Sequence, residues 1–152
     1  MTKVDGEIRI DAKQEIVWAI LADLGAVSTW NPTIANSYYI SEAKEGVGAS
    51  RHCDFPDGGY VRESATQWEA GKLVRLQIFE GTVPFNNYYG TYSLSSEADE
   101  TLVNLALEYD IHPNSGLDPA RVEQRIRERL IPTILEGLKN YIETGSPEQT
   151  SG

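Results

Sequence analysis

Cysteine is nearly absent from this chain: Cys53 is the only one in 152 residues. A lone thiol excludes an internal disulfide and any zinc site built from several cysteines, and it suits a reducing compartment. Histidine is scarce too, with only His52 and His112, so few soft ligands are available to converge on a metal. Positive charge is in short supply, 13 Lys and Arg against 23 Asp and Glu, for a formal net charge of −10. That balance repels phosphate backbones and anionic lipid surfaces and lacks the basic stripe of a nucleic-acid binder. No apolar run reaches the length of a membrane span, and the N-terminus MTKVDGEIRIDAK has neither the apolar stretch nor the cleavage site of a signal peptide. The expectation is a soluble, cytoplasmic chain with no metal, no cofactor, no nucleic-acid partner and no membrane insertion. Its length suits one domain able to bury its own core, spanning residues 1–144, with the polar tail GSPEQTSG, residues 145–152, read as disordered. Nothing here specifies an oligomeric state.

What the chain does have is β-rich sequence with well-placed turns. Lys3–Ile10 reads as a first strand, and Ala12–Leu24 as a helix with Asp11 as N-cap, an apolar stripe of Ile16, Val17, Ile20, Leu21 and Leu24, and Gly25 as its stop. Ala26–Trp30 forms one more short helical turn before Asn31-Pro32. Strands follow at about Ile34–Glu42, Ala49–Phe55, Tyr60–Trp68, Leu73–Phe79, Asn87–Leu94 and Leu102–Ile111, at the spacing of an antiparallel meander. A long final helix starts at Asp118 as N-cap with Pro119 at its first position. Its stripe runs Val122, Ile126, Leu130, Ile134, Leu138 and Tyr141 or Ile142 and needs a sheet to cover it. Pro132 lies mid-helix, which predicts a kink near residues 128–131.

The stretch Gly46–Trp68 carries most of the information. Two strands flank the turn Pro56-Asp57-Gly58-Gly59 and form a hairpin. With a period of two, Ala49, Arg51, Cys53 and Phe55 share one face, and Val61, Glu63, Ala65 and Gln67 share a face of the partner. Arg51 and Glu63 lie at comparable distances from the turn, which predicts a cross-strand or diagonal ion pair. On a surface such a pair contributes about 0–1 kcal/mol and no chemistry. If the face points inward, removing one partner costs about 3–5 kcal/mol.

One strand, two helices, six strands and a long C-terminal helix resemble the helix-grip fold of the Bet v 1-like superfamily. That superfamily, also known as SRPBCC, includes START domains, bacterial polyketide cyclase/dehydrase-like proteins and plant abscisic acid receptors. The resemblance covers Val4 to about Thr144 and rests on Trp18, Trp30-Asn31-Pro32, Gly48-Ala49-Ser50-Arg51, Asp57-Gly58-Gly59, Arg62-Glu63 and Asn87-Tyr88 in this order. It implies an α+β architecture: a curved seven-stranded antiparallel sheet around a long C-terminal helix, with two short helices after strand 1 and an apolar cavity between sheet and helix. It also implies that Arg51 and Glu63 face that cavity, that Tyr88 is the aromatic of the sixth strand, and that the loops Phe55–Gly59 and Gly81–Asn87 close its mouth. Pro56, Asp57, Gly58, Pro84 and Phe85 then belong to a lid. This chain departs from the plant receptors at the gate, where it has Asp54-Phe55-Pro56-Asp57-Gly58-Gly59, and at the latch, where it has Val83-Pro84-Phe85, so a hormone-receptor role is not implied.

Strand periodicity adds Tyr92 beside Tyr88, and Leu105, Leu107 and Tyr109 two elements on, with Leu130 and Ile134 facing them from the helix. An aromatic body with a polar tip suits an amphipathic ligand, although the same side chains would also fill a solid core. Together with Arg51, Cys53 and Glu63 they form the candidate ligand-binding set. Cys53 beside Arg51 invites a lowered thiol pKa, yet neither histidine shares its face as a base, so a small buried hydrophobe is the plainer reading. Three functions fit. The first is a carrier or sensor for a hydrophobic or amphipathic small molecule such as a lipid, polyketide or aromatic compound. The second is a cyclase or dehydratase in which Glu63 moves a proton and Arg51 or a tyrosine stabilises the enolate. An ionised Glu63 paired with Arg51 favours the first of these. The third is a chaperone-activator-like interaction module, which predicts a filled interior and an exposed Trp30 or Trp68.

Overall fold

The structure, a computed structural model, describes residues 1–148. Strand β1 (Thr2–Ile10) leads into helix α1 (Gln14–Ala22) and a 3₁₀ turn, Leu24–Thr29. Strands β2 (Asn36–Tyr39), β3 (Ser50–Asp54), β4 (Tyr60–Glu69), β5 (Leu73–Gly81), β6 (Phe85–Glu97) and β7 (Glu100–Ile111) follow. The chain closes with α2 (Pro119–Arg125), a π turn (Ile126–Leu130) and α3 (Ile131–Thr144). The seven strands form one antiparallel sheet in the order β1-β7-β6-β5-β4-β3-β2. This is the α+β helix-grip fold that the sequence pattern implies.

The sheet puts its apolar face toward the helices, as alternation dictates. On β7, Val103, Leu105, Leu107 and Tyr109 are buried, and so are Val74 and Leu76 on β5. Against them α3 lays Ile131, Ile134, Leu135 and Leu138, each contributing on the order of 1.5–3 kcal/mol through burial. Gly137 lets α3 approach the Trp30-Asn31-Pro32 segment: a Cβ there would lie 2.5 Å from the Trp30 carbonyl oxygen and 2.5 Å from Pro32 Cδ.

Several local expectations need correction. Asp11 is not the N-cap of α1; Lys13 occupies that position without a side-chain bond. The Asp11 N–H instead donates to the Glu143 carboxylate at 2.8 Å, because the C-terminal helix passes beside the end of β1. Helix α1 ends at Ala22, ahead of Gly25, which lies inside the 3₁₀ turn, and Ile16 is solvent-exposed. The predicted strand Ile34–Glu42 shrinks to Asn36–Tyr39 at the sheet edge, since the Ile34 N–H is drawn into a turn by the Asn31 carbonyl. On β4 an extra residue between Ala65 and Gln67 shifts the register. That bulge turns Gln67 out to solvent and lets Trp68 pack its edge against Trp18, centroids 5.3 Å apart.

The expected break at Pro132 takes the form of the π turn. The Ile131 N–H reaches the Ile126 carbonyl, five residues back, and Pro132 falls in the first turn of α3, where a missing N–H is tolerated. Asp118 caps α2 as expected, accepting from the Ala120 N–H at 3.2 Å. Gly145, at φ +85°, ends α3 in the left-handed conformation that favours glycine. Residues 149–152 of the predicted tail lie outside the described residues.

Candidate functional site

The cross-strand register places Arg51 directly opposite Glu63. The Arg51 Nε donates to Glu63 Oε1 at 3.2 Å, and its Nη1 donates to the Leu24 carbonyl at 3.2 Å. The two side chains are only 5% and 13% exposed, so this is an interior ion pair and the surface alternative falls away. Burial works against the Arg51 charge, but Glu63, with Cys53 and Tyr92 adding to it, outweighs that and holds the guanidinium above its usual pKa. The arginine therefore ties the sheet to the 3₁₀ turn and stays ionised.

Above this pair lies a cavity of about 430 Å³ between the sheet and the helix, within the size range of small-molecule sites. Leu76, Leu105 and Leu107 form its apolar wall, and Leu130 and Ile134 close it from the helical side. Tyr88 and Tyr92 line it as well. Burial, then the charge of Glu63, pushes Tyr88 far up; burial does the same at Tyr92 against the opposing pull of Arg51. Both remain neutral phenols. A bulge in β6 decides the mouth: the ladder to β7 slips between Asn86 and Tyr89, with Asn87 at φ +47°, a conformation asparagine tolerates. Phe85 and Tyr88, three apart, would point to opposite faces of a regular strand; here both reach the cavity.

Of the ten residues predicted for binding, Arg51, Glu63, Tyr88, Tyr92, Leu105, Leu107, Leu130 and Ile134 line this space. Cys53 and Tyr109 do not. Cys53 lies fully buried, its Sγ donating to Glu63 Oε1 at 3.7 Å. Burial pushes its pKa up to about 12, against the pull of Arg51, which overturns the idea of a lowered thiol pKa. Tyr109 packs behind Phe85 and Tyr88, centroids 5.0 and 6.2 Å away, and its buried hydroxyl has no partner among the described residues. At the rim, Pro56, Asp57 and Phe85 line the cavity while Gly58 and Pro84 do not; Gly58, at φ +94°, shapes the turn instead.

Sequence reasoning missed Asn31. Its Oδ1 accepts both the Thr33 N–H at 3.0 Å and the Thr33 hydroxyl at 2.7 Å, which leaves the amide Nδ2 for the cavity that Asn31 lines. The only signal was its place in Trp30-Asn31-Pro32, which alternation cannot orient because it lies outside a strand. Trp30 is buried at 2% exposure and meets Tyr92 edge-on at 6.1 Å, so it offers no exposed patch. His52, next to both Arg51 and Cys53, points to the opposite face. There it stacks between Tyr38 and Tyr60 at 4.9 and 5.3 Å and accepts from Arg62 Nε at 3.2 Å.

The sequence matches a protein-family model described as polyketide cyclase/dehydrase and lipid transport over residues 1–143. The chain belongs to that family. No curated protein is similar enough in sequence to match. Among solved structures, a START superfamily protein from Mycobacterium smegmatis superposes with a TM-score of 0.80 at 16% identity, covering 95% of this chain and 99% of its own. A Thermus thermophilus protein reaches 0.78 at 22% identity, with coverage of 95% and 99%. The Zhui aromatase/cyclase of a Streptomyces species reaches 0.76 at 15% identity, covering 93% of each chain. At these identities the likeness is one of fold. The polyketide cyclase/dehydrase and lipid transport family thus has in this chain a member with a START-like fold, and among the described residues no helix is long and apolar enough to cross a membrane.

Proposed function

We propose that the protein binds a hydrophobic or amphipathic small molecule in the cavity between sheet and helix, as a carrier or sensor. One observation carries this reading: an apolar chamber of about 430 Å³ has the largely buried Arg51–Glu63 salt bridge set into its wall. A folded chain fills its interior unless the space is used, and a buried charge pair is weak evidence for stability as such. The apolar wall supplies affinity, and Asn31, Glu63, Tyr88 and Tyr92 supply orientation. A proton-transfer role for Glu63 gains less support, since its Oε1 is already occupied by the Arg51 guanidinium and the Cys53 thiol. An interaction module is supported least, given the buried Trp30 and the open interior.

The test is a thermal-shift screen of the wild type against sterols, fatty acids, phenolics and aromatic polyketides, repeated with Ile134→Trp, which fills the chamber. A ligand at a hundred times its Kd stabilises by about 2.7 kcal/mol. A shift of several degrees in the wild type that disappears in Ile134→Trp supports the reading. The same shift in both proteins places the ligand elsewhere and overturns it.

A further inference from the structure

From the spaces that connect the chamber to the surface we infer that the ligand is an amphiphile: an anionic head held at Arg125 and Arg129, and an apolar body that runs inward to the chamber. This rests on the binding role proposed above and names the class of molecule it takes. A recess of about 270 Å³ adjoins the chamber, and Phe85, Tyr88 and Leu130 line both. Leu117, Val122 and Arg125 line both the recess and a surface groove along α2 and the π turn, where Arg129 also lies. Shared walls thus lead from the Arg51–Glu63 pair out toward solvent.

Charge decides the orientation. In a chain of net charge −10, residues 121–129 hold four of the 13 Lys and Arg side chains. Two of the four have partners: Arg127 pairs with Glu123 at 3.3 Å, and Arg121 lies 4.0 Å from Asp118. Arg125 and Arg129 are exposed and have no ion-pair partner among the described residues. Asp118 and Glu128 also border the groove, but Asp118 caps α2 and Glu128 accepts from the Gln124 amide at 3.3 Å. In the recess Arg125 is the one charged lining residue. A guanidinium at the outlet of an apolar passage takes a carboxylate, sulfate or phosphate through paired N–H bonds while the head keeps much of its water. The body that follows covers the exposed Leu117. The reverse orientation is poorer. Arg51 Nη2 is open to a ligand, but a head there is buried beside the Glu63 carboxylate, and like charges in a desolvated site repel.

Decanoate, decanol and butyrate test this, titrated by calorimetry at pH 8 and low salt into wild type, the double variant Arg125→Gln with Arg129→Gln, and Ile134→Trp. In the wild type decanoate binds about tenfold more tightly than decanol, the scale of one or two exposed charge contacts. That advantage disappears in the double variant and shrinks when salt is raised to about 0.3 M, which screens exposed charges. Butyrate, a head without the body, binds at least about a hundredfold more weakly than decanoate, and both long ligands are lost in Ile134→Trp. Equal binding of decanoate and decanol by the wild type, with both lost in Ile134→Trp, overturns the head-group inference and leaves the cavity reading intact. A decanoate advantage that persists in the double variant, or that salt leaves unchanged, puts the head elsewhere and overturns it too. Binding of neither long ligand, butyrate binding as tight as decanoate, or binding unaffected by Ile134→Trp overturns the cavity reading and this inference with it.

Discussion

Arg51 and Glu63 lie directly opposite each other on β3 and β4, joined at 3.2 Å, and the same guanidinium reaches the Leu24 carbonyl across the core. One side chain thus fixes the polar end of the cavity and pins the 3₁₀ turn that follows α1. Its removal leaves a largely buried carboxylate with only the Cys53 thiol as a donor and takes a charged donor from the Leu24 carbonyl.

Arg51→Ala therefore destabilises the fold by about 3–5 kcal/mol, roughly 6–20 °C in Tm for a chain of this length. The double variant Arg51→Met with Glu63→Leu recovers most of that loss, because no charge remains to be solvated. Circular-dichroism melts of the single and double variants decide it; a double variant as unstable as the single one would contradict the pairing.

Gly137→Ala lowers stability even though alanine is the better helix former by about 1 kcal/mol. The added methyl would lie 2.5 Å from the Trp30 carbonyl oxygen and from Pro32 Cδ, so α3 must move off the segment it packs on. A net loss of about 1–3 kcal/mol is expected from urea unfolding. A rise in the midpoint would show that the close approach does not exist in solution.

Cys53 is inert in the folded protein. With a pKa of about 12, about one thiol in ten thousand is ionised at pH 8, and only the thiolate reacts. Ellman's reagent should label the chain at once in 6 M guanidinium chloride and negligibly in native buffer. Rapid native labelling would mean that the β3–β4 face opens.

Glu143 couples stability to acid pH. Burial tends to raise its pKa, but the Asp11 N–H at 2.8 Å and Lys139 at 2.9 Å prevail and hold it below the usual carboxylate range. A depressed folded-state value stabilises above the unfolded-state pKa and loses that contribution as pH falls through the folded-state pKa. Glu143→Gln accordingly melts lower than the wild type at neutral pH, and the gap narrows as pH falls below the ordinary carboxylate range and through the depressed folded-state value. A gap independent of pH would assign the loss to packing.

The depth to which the site was legible varies with local geometry. Arg51, Glu63, Tyr92, Leu105 and Leu107 lie on regular strand, where a period of two fixes the face, and all line the cavity. Cys53 and Tyr109 obey the same period yet stand off the chamber, because a face names a direction and not the neighbours that fill it: Glu63 reaches the thiol of one, and Phe85 and Tyr88 stand in front of the other. Gln67 left its predicted face because one extra residue in β4 resets the alternation. Asn31 was silent because no periodicity governs a segment between a 3₁₀ turn and an edge strand.

The sequence by itself determined the order of elements, the antiparallel meander, the apolar stripe of the last helix, the pairing of Arg51 with Glu63 and the acidic charge balance. Those follow from short-range physics: strand and helix periods, turn chemistry, capping and charge. Only the tertiary structure decided that the ion pair lies inside, that the interior is open, that Asn31 and both faces of the β6 bulge converge on it, and that Pro132 is absorbed by a π turn. These depend on which distant segments meet, and therefore on how the whole sheet curves around α3.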